Sequence, residues 1–189
     1  IIYPGVDTGK FKLGQSINKG NYFLVVSRLT GYKHISGLIK VFNKLPYNLL
    51  IVGEGSDKEK LQNEIKSQNI KLLGKVSDEK LAKLYQDAHA LIMLQEEDFG
   101  LVVLESMACG TPVIVNARSG VTELVENGIH GIILDIIDEK ETVNAIKEIV
   151  NLKWSKEKIR AKAVDHDWSK FRLGIKSEVE NEWKKFNQG

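Results

Sequence analysis

Glu97-Asp98-Phe99-Gly100-Leu101-Val102-Val103-Leu104-Glu105-Ser106-Met107-Ala108-Cys109-Gly110-Thr111-Pro112-Val113-Ile114 follows the apolar run Ala90 to Leu94 and leads into another, Val113 to Val115. An apolar run, a polar loop, an amphipathic stretch and a second apolar run read as strand, loop, helix and strand. The helix, from about Leu101 to Ala108, opens directly after a glycine. Its first backbone N–H groups therefore lack intrahelical partners and can face an anion. Glu97 stands in the loop before the helix and Glu105 about one turn inside it. A helix start that attracts phosphate, flanked by two carboxylates able to hold hydroxyls, suits a ligand built from phosphate and sugar.

The same alternation extends in both directions from this stretch. Upstream, Tyr22-Phe23-Leu24-Val25-Val26 is a continuous apolar run, as in a strand buried on both faces. A loop, Ser27 to Lys33, separates it from Ile35 to Phe42, whose apolar residues recur at helical spacing. Leu49 to Val52 is a second strand, ended by Gly53-Glu54-Gly55. Ser56 and Asp57 can cap a helix running to about Ser67. Ile70 to Leu73 is a third strand, ending in Gly74-Lys75, and Ser77 and Asp78 start another helix before the strand Ala88 to Leu94. Downstream come a strand over Pro112 to Val115, a short helix over Thr122 to Val125, a strand over Gly131 to Leu134 and a helix over Glu139 to Val150. Two polar helices, Lys153 to Val164 and Ser169 to Phe186, close the chain and carry Trp154, Trp168, Phe171, Trp183 and Phe186 among many charges. Strands and helices alternating over such short connections predict an α/β fold, a Rossmann-like, doubly wound and mostly parallel sheet. Ligands on such sheets bind beyond the carboxyl ends of the strands, and every motif singled out here follows a strand.

The 189 residues suffice for one sizeable core, and a formal charge of +2 from 27 basic and 25 acidic residues gives no footing for nucleic acid. One cysteine excludes an internal disulfide framework and fits a reducing compartment. No apolar run approaches the ~18 residues of a membrane span, and no signal peptide is read. The chain opens without methionine, in what reads as the middle of a linker, which suggests a fragment.

Several side chains can carry chemistry, each with a plainer alternative. Arg28 and Lys33, in the loop after the first strand, are two solvated charges or two cations that stabilise a diphosphate leaving group as its charge develops. Glu97 and Glu105 can form a general acid/base pair, or Glu105 can serve only the helix dipole. Glu96-Glu97-Asp98 lacks the companions of a metal site. Gly53-Glu54-Gly55 resembles the start of a dinucleotide fingerprint, but the third glycine is missing, which argues against a dehydrogenase. Asp165-His166-Asp167 has the form of a metal-binding triplet but reads better as a helix cap and turn. Cys109 reads as core. Thr122 and Glu123 either face the site or start a helix.

Taken together, these residues resemble the family 4 retaining glycosyltransferases, in particular their C-terminal, nucleotide-sugar-binding domain. The likeness runs from Tyr3-Pro4-Gly5-Val6-Asp7 to about Asp135. It is most specific at Glu97, Glu105 and Met107 to Ile114, with support from Ser27-Arg28-Leu29 and Lys33, Val52-Gly53-Glu54-Gly55, Leu73-Gly74-Lys75-Val76-Ser77 and Gly120-Val121-Thr122-Glu123. The resemblance implies one half of a two-domain GT-B enzyme. Residues 1–20 would be an interdomain linker with its following loop, 21–167 the donor-binding domain, and 168–189 a helix crossing to an N-terminal acceptor domain. It implies that Arg28 and Lys33 bind the donor diphosphate and Glu97 holds hydroxyls of the transferred sugar. The backbone around Phe99, Gly100 and Leu101 would assist sugar and phosphate, Glu105 would bind ribose, and the chain near Gly53, Lys75 and Val76 would surround the nucleotide. The reaction implied is hexose transfer with retention from a UDP-, GDP- or ADP-sugar, through an oxocarbenium-like state in which the leaving phosphate draws the acceptor's proton. No divalent metal or other cofactor is implied.

The acceptor implied is a glycan or lipid-linked sugar, the setting cytoplasmic, at the inner face of the membrane where the acceptor is lipid-linked, and the fragment alone inactive. Asp98 replaces a frequent glycine, and Glu-Asp-Phe-Gly resembles members that transfer mannose. Thr30-Gly31-Tyr32 departs from the family's commoner proline-containing loop, and His34 from its usual arginine or glycine. A nucleotide-sugar epimerase or phosphorylase of the same architecture, or a non-catalytic nucleotide-binding module, stays open as an alternative.

Overall fold

The computed structural model describes residues 2–14 and 20–188. Residues 1 and 15–19 of the expected linker and residue 189 of the expected last helix lie outside the described residues. Within them, six strands form one parallel sheet: β1 (Tyr22–Val26), β2 (Asn48–Val52), β3 (Ile70–Gly74), β4 (Leu91–Met93), β5 (Val113–Asn116) and β6 (Gly131–Leu134), in the order β3-β2-β1-β4-β5-β6. The helices are α1 (Ile35–Phe42), α2 (Lys58–Glu64), α3 (Asp78–Asp87), α4 (Leu101–Ala108), α5 (Glu139–Asn151), α6 (Lys156–Val164) and α7 (Trp168–Gln188), with short 3-10 turns at Gly31–Lys33 and Gly120–Glu123. This is the expected doubly wound, Rossmann-like sheet. Its strand order reverses between β1 and β4, the crevice where such sheets take ligands.

The period-2 geometry of a strand divides the apolar runs between two cores. In β1, Phe23 and Val25 pack with α1, α2 and α5, while Leu24 packs on the opposite face with α3, α4 and α6. The β4 region does the same, Leu91 and Met93 to one side and Ala90, Ile92 and Leu94 to the other. Continuous apolar runs are needed because helices cover both faces. The leading segment joins one of these cores: Val6 and Phe11 are buried there, and the Phe11 ring meets Tyr85 edge-on at 5.8 Å.

Four elements differ from the sequence reading. The helix expected to reach about Ser67 ends at Glu64, because Asn43 donates to the Glu64 carbonyl (2.9 Å) and accepts from the Lys66 N–H (2.9 Å), fixing the chain just where it turns extended. That is a partner from another element, invisible to local propensity. Its start is also not capped by a side chain; instead the Asp57 N–H donates to the Leu29 carbonyl at 3.0 Å. The strand expected over Ala88 to Leu94 forms only at Leu91–Met93, since Ala88 still donates back to α3. The short helix expected over Thr122 to Val125 is a 3-10 turn at Gly120–Glu123, and the penultimate helix starts at Lys156, capped by Ser155 (3.2 Å from Lys158 N), rather than at Lys153.

Candidate functional site

The loops that leave β1 and β4 face each other across the strand-order reversal. Lys33 closes the 3-10 turn after β1 and is only 6% exposed, with its ammonium on the Glu97 carboxylate and 4.4 Å from the centre of the Tyr32 ring. The Tyr32 hydroxyl in turn accepts a 3.4 Å bond from Arg28 Nη2, so Arg28, Tyr32, Lys33 and Glu97 form one connected row. An ammonium largely withdrawn from water is retained only with a partner, and here the partner is a carboxylate that is itself one-third exposed.

Glu97 is held by its backbone. Its N–H donates to Ser119 Oγ (3.0 Å), while its carbonyl accepts from Ser119 Oγ (2.9 Å) and from the Gly120 N–H (2.8 Å). Ser119 immediately precedes the Gly120 to Glu123 motif but was not itself singled out from sequence, since its role rests on contacts made only in the folded chain. The Thr122 hydroxyl donates to the Ser119 carbonyl at 3.0 Å and so closes the turn. Gly100 has the left-handed conformation (φ 77°), and α4 begins at the next residue, so a β-carbon there would sit 2.3 Å from Val121 Cγ1. Leu101 is about half exposed at that helix start.

Beside this row lies an open groove of about 430 Å³ lined by Arg28, Gly53, Lys75 and Val76, with Leu81 and Val102 among the apolar walls. Gly53 (φ 138°) lies so close to the β1 loop that an added β-carbon would be 1.8 Å from the Ser27 carbonyl oxygen. Lys33, Glu97, Phe99 and Glu105 do not line the groove. Arg28 belongs to both groove and row, and Val102, on the first turn of α4, joins the groove to the helix start.

Glu105 lies one turn deeper in α4. It accepts the buried Tyr85 hydroxyl at 2.8 Å, and burial raises its carboxyl above the usual range despite that bond. Burial, then the adjacent Glu105 charge, holds the Tyr85 phenol well above its ordinary value. Tyr85 was not singled out from sequence, where it reads only as an inward residue of α3. Phe99 points elsewhere, stacked on Tyr3 with ring centres 5.6 Å apart. Burial pushes the Cys109 thiol up to about 12, as suits a core cysteine. Asp167 accepts from the Ser169 N–H (2.9 Å) and from Thr8 Oγ1 (2.6 Å), which makes the Asp165-His166-Asp167 stretch a cap and turn between α6 and α7. No group of three or more potential metal ligands occurs among the described residues.

A parallel Rossmann-like sheet gathers two cations and a carboxylate at its strand-order reversal, the place where α/β proteins of this architecture take ligands. Residues 9–166 match the family described as glycosyl transferases group 1, and the chain belongs to that family. It is 36% identical over 162 residues to the O-antigen chain mannosyltransferase RfbU of Salmonella typhimurium, covering 80% of this chain and 44% of that protein. An uncharacterized glycosyltransferase, MJ1178 of Methanocaldococcus jannaschii, is 28% identical over 157 residues, 80% of this chain and 43% of that one. Among solved structures, Anabaena Alr3699/HepE in complex with UDP and glucose superposes with a TM-score of 0.81 at 22% identity, over 95% of this chain and 56% of that chain. The chain thus spans about half the length of these relatives, and its fold is that of a GT-B glycosyltransferase domain.

Proposed function

We propose that the chain is the donor-binding part of a retaining glycosyltransferase, which takes a hexose from a nucleotide-diphosphate sugar. The observation that carries this reading is the buried Lys33 ammonium on Glu97, next to Arg28 and ahead of the α4 N-terminus. In the proposed complex the diphosphate lies between Arg28, Lys33 and the unpaired N–H groups that open α4. Charge grows on the leaving diphosphate as the glycosidic bond breaks, so these fixed donors stabilise the transition state more than the bound substrate. Lys33 then exchanges a carboxylate partner for a phosphate one, and Glu97 is released to accept hydrogen bonds from sugar hydroxyls. The groove along Arg28, Gly53, Lys75 and Val76 takes the nucleoside, with Glu105 toward the ribose. Arg28 and Lys33 supply the positive charge that a divalent cation supplies in other transferases.

The mannosyltransferase relative supports a hexose donor, and the UDP and glucose of the Anabaena protein support a nucleotide sugar. The acceptor, a glycan or lipid-linked sugar in this reading, is bound by a part of the whole protein beyond these residues. The reading is tested by calorimetry of the chain with UDP, GDP and ADP and with the matching sugar nucleotides. One nucleotide series is expected to bind, and Lys33→Ala to weaken it by about 2–4 kcal/mol, the scale of losing one charged partner of a phosphate. Absence of binding in all three series overturns the reading.

A further inference from the structure

Tyr3 belongs to the leading segment, yet its ring lies against the loop that carries Glu97. It stacks on Phe99 (5.6 Å, 17° between planes) and on His166 (5.7 Å, 4°), and its hydroxyl donates to Glu123 Oε2 at 2.7 Å. Three elements therefore meet on one side chain: the β4–α4 loop, the 3-10 turn after β5, and the α6–α7 corner. The segment itself is fixed. The Val6 N–H donates to the His166 carbonyl (2.8 Å), Trp168 N–H donates to the Val6 carbonyl (2.9 Å), and Thr8 is bonded to Asp167. Tyr3 is thus presented to Phe99 from an anchored backbone.

Core packing does not require this arrangement, since Tyr3 is 40% exposed and neither Phe99 nor His166 is fully buried. The stack sits where a displacement has a chemical consequence. Phe99 lies between Glu97 and the left-handed Gly100, and backbone hydrogen bonds to Ser119 and Gly120 tether the loop at Glu97. The Phe99 ring contact therefore falls on the short stretch between that tether and the start of α4 at Leu101. Glu123 draws the same tyrosine toward the Gly120–Glu123 turn, whose Ser119 and Gly120 side holds Glu97. That hydrogen bond, with the adjacent carboxylate charge, raises the Tyr3 phenol above its usual range.

We propose that Tyr3 is a positioning residue for the sugar-facing side of the donor site: through its stack on Phe99 and its bond to Glu123 it fixes the loop that presents Glu97, while leaving the nucleoside groove untouched. The inference rests on the donor-site reading above. A test that separates the two compares the wild-type chain, Tyr3→Ala and Tyr3→Phe in binding of the nucleoside diphosphate and of its sugar conjugate, together with amide hydrogen exchange of the unliganded chain. Tyr3→Ala is expected to weaken the sugar nucleotide about five- to tenfold and the bare nucleoside diphosphate less than twofold, on the scale of aromatic pair contacts. Tyr3→Phe, which keeps the stack and loses the Glu123 bond, falls between. In exchange, Tyr3→Ala speeds residues 97–101 about tenfold and leaves β1, β4 and β5 unchanged, as a local opening does. Equal weakening of both ligands, sugar-nucleotide affinity within twofold of wild type, or unchanged exchange at 97–101 overturns the positioning role. A wild-type chain that binds neither ligand, with exchange responding as expected, removes the donor-site reading and the sugar-facing role with it, but leaves the mechanical link between Tyr3 and the loop in place.

Discussion

At the scale of the residue, Glu105 is a buried carboxyl that works against stability when ionised. Burial raises its carboxyl, so the folded chain holds that proton to a higher pH than the unfolded chain does. A raised folded value means that the stabilising contribution belongs to the protonated form. It is present below the ordinary carboxylate range and is lost as pH rises through the raised value. Wherever the group is ionised it therefore opposes folding, and the Tyr85 hydroxyl offsets only part of that cost. Glu105→Gln keeps the shape and can still accept from Tyr85. It is expected to stabilise the chain by about 0.5–2 kcal/mol at pH 7, the range for relieving a functional compromise. The gain should shrink on acidification, as the wild-type carboxyl protonates. Urea unfolding at pH 7 and pH 5 checks this; a variant less stable at pH 7 would mean the charge is compensated. In the proposed donor site the same change is expected to weaken nucleotide binding, which calorimetry of Glu105→Gln with the nucleoside diphosphate checks.

At the scale of the element, the site is made by loops that approach one another more closely than side chains allow. Gly53 combines φ 138° with a β-carbon position 1.8 Å from the Ser27 carbonyl oxygen, so Gly53→Ala forces the β1 and β2 loops apart. Backbone strain alone costs about 1–3 kcal/mol, and the displaced loop is the one that carries Arg28. Denaturant unfolding is expected to show that loss, and calorimetry a weaker nucleoside diphosphate. Unchanged stability would show that the close approach relaxes freely. The alternation of strands and helices was legible in the sequence because each strand is buried on both faces, as Phe23 and Leu24 show by entering opposite cores. The start of α4 at Leu101 was legible because Gly100 marks it. Elements whose ends depend on remote partners were not, as with α2, which Asn43 terminates. The same division holds within the site. Residues next to strand ends, such as Lys33 and Glu97, announce themselves by spacing, and the structure brings these two into contact. Tyr85 and Ser119 act through contacts made only in the folded chain, and Tyr3 meets Glu123 across 120 residues.

At the scale of the whole molecule, the chain's two ends behave oppositely. The leading segment is fastened inside the fold: Val6 and Phe11 are buried, and the Arg160 guanidinium of α6 donates to the carbonyls of Thr8 (3.0 Å), Phe11 (3.0 Å) and Ala108. One cation thus ties that segment to the C-terminal end of α4, where three carbonyls converge on it. The far half of α7 turns apolar groups outward, with Trp183 65% and Phe186 78% exposed. Hydrogen bonds to a charged group contribute about 1.5–3 kcal/mol each way they are lost, so Arg160→Ala is expected to lower unfolding stability by at least that much. The double change Trp183→Ala and Phe186→Ala, which removes two exposed rings stacked on each other at 6.2 Å, should cost no more than about 0.5–1.5 kcal/mol, the scale of one aromatic pair. Urea titrations of the two variants at several chain concentrations decide between these assignments. If the α7 variant loses more stability than Arg160→Ala, and the loss grows with chain concentration, the outer face of α7 is covered in solution by a second copy. A concentration-independent order with Arg160 the larger effect shows that the anchored end of the chain holds the fold and the outer half of α7 does not.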